Sequence, residues 1–343
     1  MTRSTEETPL HLMSGGGLLP ASLRRAINSS LSLGPGYEPT PRGTAFDDRA
    51  VRGYYIDFRA KTTAPYVDDL DRLPSTPVIQ LALGWWERHI AGDPAALPRF
   101  LALCEAIESR AEHAGDAVLW PSHTAVAKYR LAPPCPSALP QAQAASVFVR
   151  AYQVTGEDRF AELAIAAVRP LMEPSGGPLV TWTATGPILE EGPSIPPSHI
   201  LNGWISALWG LWDVHLGLGE AAAGEVFEAS LRCLEHHLPA YDTGWWTLYS
   251  LFPHALADLA KPIYHRFHIA QVEALHRLTA LESLGTTALR WKSYDQPVCC
   301  ALAVAHKAAF SVVDARRRRR WVSGLLPDRA ATSGTSPGKT AWQ

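Results

Sequence analysis

The chain has 343 residues, 47% hydrophobic and 19% charged, a balance that supplies a core for one large domain or two small ones and excludes a disordered chain. Its 31 basic and 33 acidic side chains leave a net charge of −2, so no global field recruits nucleic acid, and an anionic substrate has to be held by a local pocket. Five cysteines, Cys104, Cys135, Cys233, Cys299 and Cys300, form no CxxC pair, which argues against a disulfide framework or structural zinc and for a reducing compartment.

Residues 1–50 contain SGGG, GPG and TPRG without sustained periodicity and are expected to be irregular. The first 30 residues hold no apolar run of signal-peptide length, and no apolar stretch of ~20 residues predicts a membrane span, so a cytoplasmic protein without membrane contact is expected. Gly53–Phe58 (GYYIDF) is the first strand candidate.

Helical periodicity begins at Val78–Ile90 and returns at Ala138–Val154, His199–Leu218 and His265–Leu281, each time followed by a short turn and a second helical stretch. The turns resemble one another: AGDPAAL at 91–97, TGEDRF at 155–160, LGEAAA at 218–223 and LGTTAL at 284–289. Their glycines, Gly92, Gly156, Gly219 and Gly285, lie 64, 63 and 66 residues apart. Glycine just past a helix suits a left-handed cap, and the Asp, Glu or Thr after it suits the next helix start. The repeat predicts an all-α fold, an (α/α) toroid of hairpins whose inner helices line a cavity, with only minor short strands.

Between the units lie Trp120–Pro140, Pro174–Pro197 and Pro239–Pro262, each rich in Pro and aromatics. Connections of about 20 residues in a compact domain usually carry function, and these would cap one end of the cavity. Pro178–Thr183 is the second strand candidate, and Arg316–Arg320 reads as a solvated helix end at the negative pole of its dipole. The expected division is an irregular segment over 1–50, one catalytic domain over 51–322 and a flexible tail over 323–343. Twelve Trp, ten Tyr and nine Phe suit bulky core packing better than a sugar-stacking pocket.

No GxGxxG before a helix, Walker loop, GxSxG or HExxH occurs, so the chemistry has to come from the loops. Glu190 and Glu191 open a Pro-framed loop that runs through Ser198 into His199 and Asn202 at the mouth of an inner helix; a carboxylate there suits a general acid or base. Tyr241, Asp242, Thr243 and Gly244 precede Tyr249. Tyr264, His265, Arg266, Phe267 and His268 precede Gln271, and Tyr264 and His268, four apart, share a helix face. His265 and His268 with Glu191 make only a weak metal triad, and no metal or other cofactor is expected.

These segments resemble the C-terminal helical domain of the D-glucuronyl C5-epimerases. The resemblance rests on SALPQAQAASVFVRAY at 137–152, EEGPSIPPSHILNGW at 190–204, LPAYDTGWWTLY at 238–249, YHRFHIAQVEAL at 264–275 and RWKSY at 290–294. The hairpin at 78–111 is similar to shorter bacterial members. The resemblance implies an (α/α) toroid that interconverts D-glucuronate and L-iduronate residues by C5 proton abstraction and return through an enolate. It places Glu191 at the family's catalytic glutamate, Tyr249 and Tyr264 at its catalytic tyrosines, and Asn202, Gln143, His268 and Gln271 at other polar motif positions. Tyr241 and Arg266 complete the expected substrate-binding set.

The implied partner is a glucuronate-containing, heparosan-like saccharide, with neither nucleic acid nor membrane, and a homodimer contact stays open. The sequence departs from the family at Gly192, where a Tyr is usual, and at Ala82-Leu83-Gly84, where Gln-Tyr-Gly is usual. About 75 residues precede the first hairpin here, where the vertebrate enzymes carry β-rich domains. Three other classes are weighed: a polysaccharide lyase sharing the enolate, an (α/α) glycoside hydrolase pairing Glu191 with Asp242, and a non-catalytic carbohydrate-binding toroid.

Overall fold

The computed structural model describes residues 32–35, 37–38, 51–63, 70–173 and 177–325. The expectation for residues 1–50 therefore lies almost wholly outside the described residues, as does that for the tail from residue 326.

Four helical hairpins follow one another. They are Ser75–Ile90 (α1) with Ala96–Glu108 (α2), Ala138–Thr155 (α3) with Asp158–Val168 (α4), Leu201–Leu218 (α5) with Ala221–His237 (α6), and Pro262–Thr279 (α7) with Glu282–Tyr294 (α8). A long helix, Pro297–Leu325 (α9), ends the described chain. Burial separates inner from outer helices as the all-α expectation requires. Every residue from Ala142 to Ala151 of α3 and from Leu201 to Val214 of α5 is buried, the mark of a helix covered on all sides. In α2 only a stripe is buried, Ala96, Phe100, Leu103, Cys104 and Ile107. Each inner helix packs on its own outer helix, and α1, α3, α5 and α7 pack on one another in that order, which gives an arc of hairpins.

Two short hairpins are the only sheets among the described residues. Glu112–Ala114 (β1) pairs with Ala117–Leu119 (β2), and Val180–Thr183 (β3) pairs antiparallel with Gly186–Leu189 (β4), Val180 opposite Leu189. The strand expected at 178–183 is thus present. The one expected at Gly53–Phe58 is not: that segment has a single isolated bridge, Ile56 to Leu33. It meets residues 32–34 through two backbone hydrogen bonds at 2.9 Å, Asp57 N–H to Ser32 O and Gly34 N–H to Tyr55 O, and side chains hold the backbone at its start. Arg150, wholly buried, donates to Arg52 O and Gly53 O at 3.2 Å each, and Glu87 accepts from Tyr54 N–H. Arg150 also pairs with buried Asp213 at 2.7 Å, and Tyr55 donates to Asp213 at 2.8 Å while its ring stacks on Trp209 with centroids 4.6 Å apart. One buried ion pair therefore joins α3, α5 and the segment that covers them.

Three of the four turn glycines behave as expected. Gly92, Gly156 and Gly219 take φ values of 89°, 70° and 73° just after α1, α3 and α5. Gly285 does not, because it lies inside α8; the left-handed residue after α7 is Ala280, with φ 57°. Its counterpart is Gly224 in α6. His215 near the end of α5 meets Glu220 O at 3.0 Å, and His276 near the end of α7 meets Leu281 O at 2.9 Å. A β-carbon at Gly224 would come within 2.6 Å of the His215 ring, and one at Gly285 within 3.0 Å of the His276 ring. Each histidine ties its inner helix to the start of the outer one, and the glycine makes room for the ring.

Arg316–Arg320 lies within α9, not at its end, and residues 323–325 are still helical. A window of α9 reaches a mean hydropathy of 1.5, so by length and composition it passes for a membrane span that the sequence pattern did not suggest. One face of α9 packs onto the domain: Cys300 and Ala303 join a cluster with Trp246 and Leu259, and Phe310 is buried too. The aromatic content mostly fills the interior, with Trp120, Trp204, Trp209, Trp246 and Trp291 among the largest fully buried side chains.

Candidate active site

A cavity of about 1210 Å³ opens at the N-terminal ends of the inner helices. Ser75, Leu139, Asn202 and Tyr264, from the first turns of α1, α3, α5 and α7, all line it. Four helix N-termini thus turn their positive dipole ends toward one space. Six cationic side chains, Lys61, Arg110, Lys128, Lys261, Lys307 and Arg318, line the same cavity against three acidic ones, Asp71, Glu112 and Glu191. A protein of net charge −2 therefore carries a locally positive pocket suited to an anion.

The two adjacent glutamates divide their work. Glu190 is 1% exposed and is spent on the loop: it accepts from Thr181 Oγ1 at 2.9 Å, Ser198 Oγ at 3.2 Å and His199 N–H at 3.0 Å, and meets His199 Nδ1 at 2.6 Å. These contacts hold His199 at φ 44°, a left-handed conformation that costs a non-glycine residue energy and needs such support. Glu191 turns the other way, into the cavity. Its Oε2 accepts from Asn202 Nδ2 at 3.0 Å, and it also takes the N–H of Gly203 at the start of α5. Burial pushes the Glu191 carboxyl up from 4.5 to about 7, against the pull of Lys128 and these two donors.

Loop pairing brings Tyr249 beside it. Leu201 N–H donates to Tyr249 O at 3.2 Å, Leu251 N–H donates to Ser198 O at 3.1 Å, and Ile200 bridges to Ser250. Tyr264, in the first turn of α7, meets Tyr249 edge to face, centroids 4.9 Å apart. Burial raises the pKa of Tyr249 well above 10, and the Glu191 charge adds to the effect; Tyr264 is raised by the same two causes in the same order, eased by its hydrogen bond to Tyr249. Both phenols stay protonated at neutral pH, so each has a proton to give. One carboxyl that titrates near neutrality and two neutral phenols thus line one cavity.

Of the residues singled out in the sequence, Glu191, Asn202, Tyr249 and Tyr264 line the cavity. The others stand behind it. Gln271 Nε2 donates to Asn202 O at 2.9 Å and Ser206 Oγ at 3.2 Å, so it seats Asn202. Gln143 Oε1 accepts from Gln80 Nε2 at 3.2 Å, and Gln80 is the one at the cavity. Tyr241 is buried and donates to His199 O at 2.7 Å, which steadies the glutamate loop. Burial holds His268 down near 3, with His265 acting in the same direction, so it is neutral; its Nδ1 meets Thr247 Oγ1 at 3.2 Å. Arg266 is placed elsewhere, forked onto Asp295 at 2.8 and 3.0 Å. His265 uses both ring nitrogens, on Thr247 Oγ1 at 2.9 Å and Trp291 O at 3.2 Å, and among the described residues no three His, Cys, Asp or Glu side chains gather around one point as metal ligands.

Lys128, Asp258 and Lys307 were not singled out by sequence, although Lys128 and Asp258 sit in two of the long loops read as functional. Lys128 Nζ lies 2.5 Å from Asp258 Oδ2 and 4.4 Å from the Tyr249 ring centroid. Burial pushes the Lys128 ammonium down to about 8, Asp258 opposing and Lys307 reinforcing the shift. Burial would raise the Asp258 carboxyl, but the two lysines outweigh it and hold it below the usual carboxylate range.

A family model described as the D-glucuronyl C5-epimerase C-terminus matches residues 115–293. The chain is 32% identical over 183 residues to the D-glucuronyl C5-epimerase of Caenorhabditis elegans, a match that covers 49% of this chain and 30% of that protein. It is 28% identical over 181 residues to an uncharacterized protein of Methanocaldococcus jannaschii, covering 51% of this chain and 57% of that one. In neither case does the match span two thirds of the relative's length.

Proposed function

Because the chain belongs to the D-glucuronyl C5-epimerase C-terminal family, we propose that it inverts C5 of a uronate within a saccharide, interconverting D-glucuronate and L-iduronate residues. The observation that carries this reading is the meeting of Glu191, near 7, with two phenols held protonated in the same cavity. The hydrogen on C5 is weakly acidic, and its loss leaves an enolate with two negative charges on the carboxylate oxygens. Inversion then needs a base on one face, an acid on the other, and positive groups at the carboxylate.

Glu191 is the base: its carboxylate takes the C5 proton, and the C–H electron pair moves into the enolate. The Tyr264 phenol returns a proton to C5 from the other face, leaving a phenolate. Tyr249, hydrogen-bonded to Tyr264, holds the substrate and shares that charge. Solvent then restores both groups. Asn202, seated by Gln271, keeps the carboxylate of Glu191 aimed. The arc of hairpins supports an (α/α) toroid, and the positive cavity supports an acidic saccharide as substrate.

Incubation with glucuronate-containing oligosaccharides in heavy water tests the reading. Loss of the H5 proton signal with a gain of one mass unit and no new double bond is the expected result. An unsaturated uronate product overturns it in favour of β-elimination. A folded protein that exchanges H5 of no uronate overturns the C5 chemistry altogether.

A further inference from the structure

One charged group in the cavity has no part in the proton transfers above. The Asp258 side chain has no exposed surface, and both its oxygens are engaged. Lys128 Nζ sits 2.5 Å from Oδ2, Lys307 Nζ pairs with Oδ1, and Ser250 Oγ and Tyr129 OH donate to Oδ2 at 2.8 and 3.3 Å. One carboxylate thus holds two ammonium groups, which leaves a net positive charge in a partly desolvated wall.

Both lysines look onto the cavity. Lys307 donates one N–H to Asp258 and another to Leu259 O at 3.0 Å, which leaves a third, since an ammonium carries three. It lies 4.7 Å from the Phe310 ring centroid and 5.9 Å from that of Tyr249. Lys128 lies closer to Tyr249 and acts electrostatically on Glu191. The surplus charge is therefore beside Glu191, assigned to the reacting carbon, and Tyr249, assigned to hold the substrate. Lys307 comes from α9, which begins at Pro297, beyond the residues 115–293 that match the family.

We infer that Lys128 and Lys307, presented together by Asp258, clamp the carboxylate of the reacting sugar, and that α9 is a wall of the substrate site. The inference rests on the reading that the site acts on a uronate. A purely structural role would have the lysines do no more than neutralise Asp258. The two differ in what happens when only Lys307 is removed, because Asp258 then still has Lys128.

The test compares wild type, Lys307→Met and Lys307→Arg by calorimetric titration with methyl β-D-glucuronide and with the neutral methyl β-D-glucoside. It adds KM and kcat for H5 exchange in heavy water. Lys307→Met should weaken glucuronide binding about tenfold or more, the worth of one charge-assisted hydrogen bond. It should leave glucoside binding as it was and raise KM more than it lowers kcat, and Lys307→Arg should recover most of the loss. Arg320→Met, on the exposed part of α9, should change nothing. Equal glucuronide binding by wild type and Lys307→Met, or an equal loss for glucoside, overturns the clamp. Glucuronide binding that depends on Lys307 without H5 exchange would uphold the clamp and sink the C5 chemistry. Exchange with an unchanged KM in Lys307→Met would do the reverse. A wild-type protein that binds no glucuronide overturns both.

Discussion

The β-carbon that Gly203 lacks would lie 2.3 Å from both Cβ and Oε2 of Glu191. The carboxylate thus occupies the space in front of the first turn of α5, where it takes the Gly203 N–H and the Asn202 amide. Gly203→Ala should push the carboxylate out of that seat. The expected outcome is a stability loss of ~1–3 kcal/mol from overpacking, seen as a lower urea midpoint, together with at least a hundredfold fall in H5 exchange. A variant that keeps its exchange rate would show that the seat of Glu191 does not matter.

Tyr264→Phe keeps the edge-to-face ring contact with Tyr249 and removes the hydroxyl, with its proton and its hydrogen bond to Tyr249. Exchange or inversion should drop by roughly 10²–10⁴, the range for a positioned general acid, while circular dichroism and melting stay near wild type. Tyr249→Phe should also lower turnover. Normal turnover from a folded Tyr264→Phe protein would remove that residue from the mechanism.

The pH profile follows from two shifted groups. Glu191, raised to about 7, is a base only when deprotonated, so exchange should climb as pH rises through about 7. Lys128, lowered to about 8, loses its charge above that value, so the rate should fall again. Glu191→Gln should abolish the rising limb along with the activity.

Stability carries the same signature. A carboxyl whose folded pKa lies above its unfolded one stabilises the protein fully below the unfolded value and loses that contribution as pH climbs through the folded one. Raising Glu191 from 4.5 to about 7 sets an upper bound of ~3 kcal/mol, and water in the open cavity reduces it to ~1–2 kcal/mol. Glu191→Gln should therefore gain about that much over wild type at pH 8, relative to their difference at pH 4, in paired denaturant titrations.

Arg150 and Asp213 form an ion pair with side chains 0% and 1% exposed. Breaking it from one side leaves a buried charge, so Arg150→Met should cost ~3–5 kcal/mol. The double change Arg150→Met with Asp213→Leu should recover a large part of that. A single variant as stable as wild type would mean that water reaches the pair. Because Arg150 also holds the carbonyls of Arg52 and Gly53, the segment around Tyr55 should become the first to exchange its amide hydrogens.

The hairpins and the heart of the site were legible in the chain because their signals are local. The apolar period of α3 and α5, the left-handed glycines Gly156 and Gly219, and the Pro-framed run at Glu190 and Glu191 all lie within one element or loop. What escaped was set by distant partners. Gly285 kept the spacing of a turn glycine but serves the His276 ring from inside α8. Gly53–Phe58 has the aromatic and β-branched residues of a strand, yet it makes one isolated bridge, and Arg150 and Glu87 from two helices hold Gly53 O and Tyr54 N–H. Arg266 sits beside two site residues in sequence, but helical rotation carries it to Asp295. Lys128, Asp258 and Lys307 are ordinary residue types in a loop, a second loop and a distal helix; no spacing links them, and only the folded chain makes them one group.

Glu190 and Glu191 share a peptide bond and face opposite ways, one gripping the loop and the other open to the cavity. A single backbone segment therefore transmits error from the first to the second. A slackened Glu190, which reaches no sugar, would let its neighbour wander and mimic a chemical lesion. A mutational scan that read turnover alone would score the two acids alike. Melting curves would separate them, since Glu190→Gln should soften the fold and Glu191→Gln should not.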